Sequence, residues 1–298
     1  VLLAINWMLQ PNLFESRVLN GNFRTFVPLM ILAVGQTFVV IGGGIDLSVG
    51  AILSMVTAIL VTNLAPDTGL GGFLFIVGIG CLAGMAAGAL NGFAVAILRL
   101  QPIVTTYATS FIFSGIALWV LPRPGGTVPK LISQFYRRET PLGLPLGIYI
   151  GLALVIIWWL LRSTRYGRYL FAVGGQPDAA YATGVPVNWI RFSTYILSGL
   201  MAALAGVALS LGTSSGDPRI GDSFTLDSVV AVVLGGTRLS GGQGGVFGSI
   251  LGVIVLAIVR NIISFANVPS WWQTLVDALI IVVALAAPGL VRLMRRKQ

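Results

Sequence analysis

The hydrophobic positions of this chain form long runs, and short polar or Gly/Pro-rich segments separate one run from the next. Many of the runs approach the ~20 residues that a helix needs to cross a bilayer. The pattern predicts an all-α, polytopic membrane protein, a single transmembrane domain over residues 1–298 with about ten transmembrane helices and Gly-rich helix breaks. The predicted cores, the first of them partial, lie at 1–10, 26–42, 49–65, 71–89, 103–121, 147–161, 190–213, 225–239, 246–265 and 271–290. A short run at 90–98 either continues the preceding helix or re-enters the membrane.

The composition agrees with a membrane protein. Only 9% of the 298 residues are charged and 56% are hydrophobic, whereas a soluble domain carries roughly a quarter charged residues. Mean hydropathy is +0.93. The net charge of +9 raises the question of a nucleic-acid partner, but the basic residues sit at the ends of apolar runs and form no patch. This placement indicates a lipid bilayer, and no nucleic acid, as the partner.

The placement of basic residues also predicts an orientation. Three arginines lie within 162–168, and the C-terminal tail holds Arg292, Arg295, Arg296 and Lys297. Both segments are therefore predicted to face the cytoplasm. The segment 123–146 is then external, although it is basic. The acidic segment 214–227 is external as well, either as a docking surface for an external partner or as a solvated loop with helix-capping aspartates.

The rare residue types exclude several kinds of chemistry. Cys81 is the single cysteine, so no disulfide within the chain and no multi-cysteine metal site can form. The chain has no histidine, which removes the commonest general base and the commonest metal ligand. We expect no catalytic site and no metal or cofactor bound by this chain. The sequence begins at Val1 within an apolar run, which predicts a trimmed N-terminus with part of a first helix missing.

The run GGTRLSGGQGG at 235–245 contains LSGGQ, which resembles the signature loop of ABC-type ATPases. Nucleotide binding also needs a phosphate-binding loop with a lysine after a glycine, and neither Lys130 nor Lys297 follows a glycine. The match is therefore interpreted as coincidental. We predict that 235–242 lies within the membrane boundary, roughly 10 Å or more from the cytoplasmic segment 173–185.

An internal comparison offers another interpretation of the same run. GGIDLSVG at 43–50 and GGTRLSGG at 235–242 agree at five of eight positions without a gap, and apolar runs flank both. The similarity predicts a pair of helix breaks that belong to a transport pathway, with chance similarity of Gly-rich turns as the alternative. The candidate residues are Gly43, Gly44, Asp46 and Ser48 in the first break, and Gly235, Gly236, Arg238 and Ser240 in the second.

Three polar side chains within or beside the apolar runs need an explanation. A carboxylate in such a setting is costly, so Asp46 is expected either to cap the following helix or to contact the transported molecule. Arg238 occupies the matching position of the second break, and an ion pair between the two is a further hypothesis. Asn91 either faces the pathway or bonds a neighbouring helix.

The segment 172–185 predicts a short isolated helix between two Gly-containing bends. Pro177 suits the first helical position, Asp178 complements the helix dipole there, and Gly184 suits the C-terminal stop. Such a helix is marginal by itself, so we expect it to pack on a partner, with a simple connector as the alternative. The candidate coupling residues are Gly174, Gly175, Pro177, Asp178, Ala179, Ala180 and Gly184.

Four blocks resemble one family: GGGIDLSVGAILSM, ALNGFAVAILRLQPIVTT, AVGGQPDAAYATGV and DSVVAVVLGGTRLSGG. They are similar, in order and over nearly the whole chain, to the membrane permease subunits of bacterial ABC importers for monosaccharides of the ribose/xylose/galactose type. The resemblance implies a bacterial inner-membrane permease with a cytoplasmic coupling segment at about 163–187. It also implies a second permease subunit, two ABC ATPase subunits that carry ATP and Mg, and a periplasmic sugar-binding protein. Arg238 departs from the small polar or apolar residue that the family often has there.

Other classes of transporter remain open from the residues alone. A permease for another small polar solute of the same importer class would share these features. An ion-coupled secondary transporter would need a titratable relay within the membrane, for which only Asp46 and Asp277 are candidates. A passive channel would not need the short helix at 173–185. The sequence leaves open which sugar is carried and whether the second permease is a copy of this chain.

Overall fold

The computed structural model describes residues 2–138 and 140–266 and five isolated positions between 272 and 282. The predicted span 271–290, Asp277 and the basic tail lie outside the described residues, apart from those five positions. The described chain is helical, with an isolated β-bridge between Gly125 and Gly216. Its α-helices are α1 (Leu2–Leu9), α2 (Ser16–Ile41), α3 (Val49–Asn63), α4 (Leu70–Gly92), α5 (Pro102–Val120), α6 (Lys130–Arg138), α7 (Leu146–Ser163), α8 (Arg165–Gly175), α9 (Pro177–Ala182), α10 (Val187–Thr213), α11 (Asp222–Leu234) and α12 (Val246–Phe265).

Local chemistry sets several of these boundaries. Pro102 and Pro177 occupy the first turn of α5 and α9, where the missing N–H of proline is not needed. The Thr164 hydroxyl caps α8 by accepting from the Gly167 N–H at 3.3 Å. The run at 90–98 continues its neighbour, because a π-helix at Phe93–Ile97 extends α4. Within the described residues a helix lies at each predicted run, and most boundaries differ by at most five residues, although α2 begins at Ser16, ten residues earlier than predicted.

Six of the described helices are long and apolar enough to cross a membrane: α2, α4 with its extension, α5, α7, α10 and α12. The central one is α2, in whose most apolar stretch 89% of the residues are buried, against 17% for α5 and α7. The outer helices therefore present their apolar side chains to lipid or to another subunit. With 15 and 13 residues, α3 and α11 are shorter than the ~20 residues that a span needs, and we call them the half-length helices.

The long helices connect two opposite ends of the molecule. At one end, which we call the α6 end, Asn20 near the start of α2 donates to the Arg137 carbonyl of α6 at 3.1 Å. The end of α10 lies there too, because the Ser133 hydroxyl donates to the Leu211 carbonyl at 3.0 Å. At the other end, the α9 end, α2 finishes against the end of α8. Thus α2 and α10 run in opposite directions.

These helices form an inverted repeat. Gly221 follows Gly50 by 171 positions (221 minus 50), and adding 171 to α2 gives 187–212, against Val187–Thr213 for α10. The same shift moves the bounds of α3 to 220–234, which nearly match those of α11, Asp222–Leu234. It moves the bounds of α4 to 241–263, which overlap those of α12, Val246–Phe265. Because α2 and α10 are antiparallel, the two sets are related by inversion, as in many transporters.

The two halves meet where α3 and α11 begin. Gly50 and Gly221 pack backbone against backbone, and a Cβ on either would overlap the carbonyl of the other. The contacts are reciprocal: the Gly50 N–H donates to the Thr225 hydroxyl at 3.2 Å, and the Gly221 N–H donates to the Ser54 hydroxyl at 2.9 Å. Each glycine lies thirteen positions before the end of its helix (50 to 63, and 221 to 234), which is roughly 20 Å along the helix axis. Because α3 ends at the α6 end of the molecule and α11 ends at the α9 end, the two glycines are about equally far from both ends. The crossing point is therefore near mid-depth.

The inverted repeat corrects the pairing inferred from the sequence. The counterpart of 43–50 is 214–221, and not 235–242. Asp46 accepts the Ser48 N–H at 2.9 Å, and Asp217, which is 171 positions later, accepts the Arg219 N–H at 2.9 Å. The segment 214–227, predicted to be an external loop, is a loop only in its first half: it starts at the α6 end, where Gly216 pairs with Gly125, then turns inward, and α11 begins at Asp222. Gly216 and Gly221 are buried, and this segment follows α3 from Val61 inward to Gly50.

Candidate functional site

The first helix break separates α2 from α3. The Gly42 and Gly43 N–H groups still bond to carbonyls of the last turn of α2, at 3.0 Å each. Gly43 then adopts a φ of +84°, a left-handed conformation that favours glycine. Gly44 packs so closely on the Tyr195 hydroxyl that a Cβ would lie 2.5 Å from it. The glycines thus end α2 and let the chain reverse before α3.

Asp46 is fully buried within this break, and its carboxylate has three donors. One oxygen, Oδ1, accepts from the Ser48 N–H at 2.9 Å and from the Ser48 hydroxyl at 2.6 Å. The other, Oδ2, accepts from the Ser198 hydroxyl of α10 at 2.9 Å. Since Ser48 immediately precedes α3, the side chain caps the start of that helix and also ties it to α10.

Further polar side chains extend this arrangement into a buried network. Asn91 donates to the Ser48 hydroxyl at 2.7 Å and accepts from the Thr109 hydroxyl at 2.6 Å. Gln36 bonds both backbone groups of Asp46, at 3.2 and 3.3 Å, when its amide is oriented to satisfy both of its own groups. We call Gln36, Asp46, Ser48, Asn91, Thr109 and Ser198 the Asp46 network. Asn91 therefore bonds neighbouring elements, the second of the two roles considered for it.

The second Gly-rich segment, 235–245, connects α11 to α12. Gly236 adopts a φ of +82°, and the Arg238 N–H donates to the Gln243 carbonyl at 3.0 Å, which closes the turn. Gly235 packs against Gly248 of α12 with no room for a side chain. Arg238 and Ser240 are exposed.

The hypothesis of an Asp46–Arg238 ion pair is wrong. Asp46 is buried and engaged by serine side chains, whereas Arg238 is exposed. In the described ranges, the ion pair found is that of Arg260 on α12 with Asp227 on α11, at 2.6 Å. It stabilises the contact between these two helices in the second half of the repeat.

Three glycine segments meet at the α9 end. The Gly242 N–H donates to the Ile41 carbonyl at 2.9 Å, which joins the second Gly-rich segment to the end of α2. Gly174 packs against both groups, and a Cβ on Gly241 would lie 2.5 Å from the Gly174 carbonyl oxygen and 3.0 Å from the Gly43 Cα. We call Gly43, Gly174, Gly241 and Gly242 the glycine junction. The prediction that 235–242 lies about 10 Å or more from 173–185 is therefore wrong, because the two segments are in contact.

The short helix α9 has the predicted bounds and follows the glycine junction directly. It runs from Pro177 to Ala182, and Gly184 after it adopts a φ of +82°. Pro177, Asp178 and Tyr181 line a cavity beside the first break. Ala179 and Ala180 lie on the other side, along a shallow groove shared with α8, where Ala180 is buried and Ala179 is exposed.

Several residues of this region were not identified from the sequence. Gln36, Thr109 and Ser198 are single polar residues within apolar helices, and sequence gives no sign that they converge on Asp46. The inverted repeat leaves only a two-residue match in the sequence. Asp46 precedes Gly50 by four positions, and Asp217 precedes Gly221 by the same number. Each of the two segments that lead to the crossing point therefore contains Asp-x-x-x-Gly.

The described part of the chain has six helices of membrane-crossing length, two half-length helices that meet at mid-depth and Gly-rich breaks between them. These features define a polytopic membrane transport protein. The chain belongs to the family described as branched-chain amino acid transport system / permease component, whose model matches residues 19–285. No solved structure matches the chain.

Similar proteins are permeases named for sugars. The chain is 35% identical to the ribose import permease protein RbsC of Bacillus subtilis over 289 residues, which cover 95% of this chain and 88% of that protein. It is 35% identical to the fructose import permease protein FruG of Bifidobacterium longum, over 86% of this chain and 77% of that protein. It is 30% identical to the D-allose transport system permease protein AlsC of Escherichia coli, over 98% of this chain and 89% of that protein. The resemblance inferred from the four sequence blocks is confirmed.

Proposed function

We propose that this chain is the membrane-spanning subunit of an ATP-driven importer that carries a monosaccharide. The observation that carries the proposal is the similarity to permeases named for ribose, fructose and allose, at 30–35% identity over at least 86% of this chain. The family description names branched-chain amino acids, so an amino acid is the alternative cargo. Uptake of labelled ribose, fructose, allose and leucine by the reconstituted transporter, with its own binding protein, decides between them.

The proposed arrangement has ten spans in the bacterial inner membrane. Six are the long helices, and a seventh is the apolar run 271–290. The other three are α1, which is a partial helix of eight residues, and α3 and α11, each of which crosses only together with the non-helical segment before it. The α9 end faces the cytoplasm, because Arg162, Arg165 and Arg168 lie there, and the α6 end faces the periplasm. The crossing point of α3 and α11 then lies within the membrane, where the two halves of the repeat would move against each other during transport.

The proposed energy source is ATP, bound with Mg by a separate ATPase subunit that docks on α9. This chain would hold no cofactor and no catalytic site, and it would work with a second permease subunit. Support comes from the position of α9, which projects from the glycine junction and so connects mechanically to the end of α2 and to the segment between α11 and α12. Movement of α9 would thus reach both halves of the repeat.

The exposed face of α9 provides a direct test. We expect Ala179→Arg to reduce ATP-driven uptake by more than tenfold, because a long charged side chain would fill the shallow groove at which the ATPase is proposed to dock. Ala180 is unsuitable for this test, since it is only 5% exposed and its replacement would disturb packing within the chain. The measurement is sugar uptake and ATP turnover by the purified complex in proteoliposomes.

Ala65→Arg is the matched control. Ala65 is exposed in the turn after α3, at the opposite end of the molecule, and its replacement should leave uptake unchanged. The unfolding temperature of the Ala179→Arg permease in detergent should equal that of the wild type. Normal uptake by Ala179→Arg would contradict docking of the ATPase on this face.

The α6 end carries a basic cleft that fits an acidic partner. A cavity of about 760 Å³ lies between the start of α2 and the end of α6. Its described lining includes no acidic side chain. It includes four arginines, namely Arg17, Arg24, Arg137 and Arg138. Basic residues on the external side run against the positive-inside rule, so they call for a specific reason. We assign this cleft to docking of the periplasmic sugar-binding protein through acidic side chains.

Reversing two charges of the cleft should weaken this docking. We expect the double variant Arg17→Glu, Arg138→Glu to raise the concentration of binding protein needed for half-maximal uptake at least tenfold, because complementary charges guide association. ATP turnover without binding protein should not change. Arg123→Glu is the control, since Arg123 is exposed at the same end but does not line the cleft. An equal loss in both variants, or no loss in either, would contradict the assignment.

An ion-coupled mechanism receives little support from the described residues. The Asp46 carboxylate is occupied by three hydrogen bonds, and Asp227 forms an ion pair with Arg260. Asp277, the other relay candidate, lies outside the described residues. Dependence of uptake on ATP, with no effect of collapsing the ion gradients, is the result that the importer proposal expects.

A further inference from the structure

A cavity of about 630 Å³ lies at the α9 end, between the first break and α9. Gly42, Gly43 and Gly44 form one wall, and the turn between α4 and α5 forms another. Pro177, Asp178 and Tyr181 of α9 form a third, and the first turns of α10 complete the site. The volume is within the roughly 300–1,000 Å³ typical of small-molecule sites. Gly43 of the glycine junction and α9 both border this space.

The lining carries two cations without an ion-pair partner. Arg99 and Arg191 line the cavity, and neither takes part in an ion pair within the described ranges. Asp178 contributes the acidic side chain of the lining. Arg99 also holds a left-handed backbone conformation, with a φ of +58°, which is uncommon for a residue other than glycine and often marks a functional position. Unpaired guanidinium groups in a concave site suit a phosphate or carboxylate.

A second observation points to a ligand with oxygen atoms. Tyr195 lines the cavity, is only 2% exposed, and has a buried hydroxyl with no hydrogen-bond partner among the described residues. A buried polar group left unpaired costs about 1–3 kcal/mol, so such a group calls for an explanation. A ligand hydroxyl or phosphate oxygen in the cavity would provide the missing partner. Gln101 and Asn188 offer further donors and acceptors on the same lining.

We propose that this cavity binds a phosphorylated monosaccharide from the cytoplasm, with Arg99 and Arg191 on the phosphate and Tyr195, Gln101 and Asn188 on the sugar hydroxyls. Asp178 can balance only one of the two guanidinium groups, so a neutral sugar would leave the lining with a net positive charge. The ligand bridges α9, the turn between α4 and α5 and the start of α10, so it restrains the movement of α9 through which the ATPase is proposed to drive the permease. Bound sugar phosphate therefore inhibits uptake, and the importer responds to its own accumulated product. The orientation and the cargo rest on the proposed function.

Binding is tested on the purified full-length chain in detergent, where no transport is needed. We expect ribose 5-phosphate to raise the unfolding temperature saturably, whereas ribose and inorganic phosphate at the same concentrations have at least tenfold weaker effects. Arg99→Gln and Arg191→Gln should each weaken binding at least tenfold. Arg165→Gln is the matched control, because Arg165 is exposed at the same end of the molecule and does not line the cavity.

Tyr195→Phe provides a variant that should fold normally, since it removes a hydroxyl that has no partner. We expect it to keep the unfolding temperature of the wild type and to bind ribose 5-phosphate several-fold more weakly. Binding of ribose as tight as that of its phosphate would make the cavity an exit path for neutral sugar and overturn the proposal. Binding unaffected by all three lining variants would overturn it as well.

Inhibition is tested on the assembled complex in inside-out proteoliposomes, with ribose 5-phosphate added to the side that carries the ATPase. The binding protein and labelled sugar are enclosed in the lumen, from which an importer in this orientation releases sugar to the outer solution. We expect ATP-driven release to fall at least threefold, and the inhibition to disappear in Arg99→Gln while release itself continues. Binding without inhibition would overturn the regulatory part of the proposal. Absence of release in the untreated wild type would instead count against the proposed function, so the two failures are distinguishable.

Discussion

Gly174→Ala is expected to abolish sugar uptake, by more than a hundredfold, and to lower the unfolding temperature of the permease. A Cβ at this position would overlap the Ile41 carbonyl oxygen and lie 2.7 Å from the Gly242 nitrogen. Both neighbours are backbone atoms that already bond each other at 2.9 Å, so no side-chain rotation can relieve the overlap. Overpacking of this kind costs typically about 1–3 kcal/mol. The added displacement would separate α9 from both halves of the repeat.

The adjacent residue supplies a control of the same chemistry. A Cβ on Gly175 would meet only the Gly242 Cα, at 4.0 Å, which is an ordinary contact. Gly175→Ala should therefore keep at least half of the wild-type uptake and its unfolding temperature. Uptake and thermal unfolding of both variants, measured in parallel, check the prediction. Equal behaviour of the two alanine variants would show that close packing at the glycine junction does not connect α9 to the membrane helices.

Much of the helical architecture could be predicted from the sequence, because lipid allows so few ways to bury a backbone. Hydrophobic runs of bilayer length must be helical, and the observed helices follow them. The start and end of α9 were also predictable, since proline favours the first turn and Gly184 adopts the left-handed conformation that ends it. These signals are local and need no knowledge of neighbouring elements.

The relation between the two halves was not predictable in the same way. GGIDLSVG and GGTRLSGG share five residues because both leave a helix through Gly-rich turns, and this is a local property. The structural counterpart of the first break contains GDPRIG, in which only the aspartate and the last glycine match IDLSVG. Two residues carry the relation: an aspartate that accepts the N–H two positions later and a glycine at the crossing point. So short a match is not distinguishable from chance in the sequence.

The hydrogen-bond partners of Asp46 show a second limit of prediction from sequence. Capping by its side chain was foreseen, because an aspartate before an apolar helix has few other roles that offset the cost of burial. Ser198 could not be foreseen as a partner, since it lies 152 positions away on a helix whose other serine and threonine side chains mostly bond their own backbone. Which small hydroxyl meets the carboxylate depends on how α10 packs against α2, and sequence alone does not fix that rotation.

The Asp46 network leads to the second large expected effect. Asp46→Leu should lower the amount of folded permease severely and abolish uptake, because it leaves the Ser48 N–H, the Ser48 hydroxyl and the Ser198 hydroxyl without their acceptor. Each buried donor left unpaired costs about 1–3 kcal/mol. The measurements are thermal unfolding in detergent and uptake in proteoliposomes.

Asp46→Asn should keep most of the folded permease and most of the uptake. The asparagine oxygen can accept the two Ser48 donors, and its amide can donate to the Ser198 hydroxyl, which also accepts hydrogen bonds. The inverted repeat supplies the matched control in Asp217, which accepts the Arg219 N–H in the same geometry but lies in a more exposed segment. Asp217→Leu should therefore cost only one hydrogen bond in a turn, about 0.5–1.5 kcal/mol. If Asp46→Asn abolishes uptake as Leu does while folding normally, the negative charge of Asp46 acts in transport itself, and capping is only part of its role.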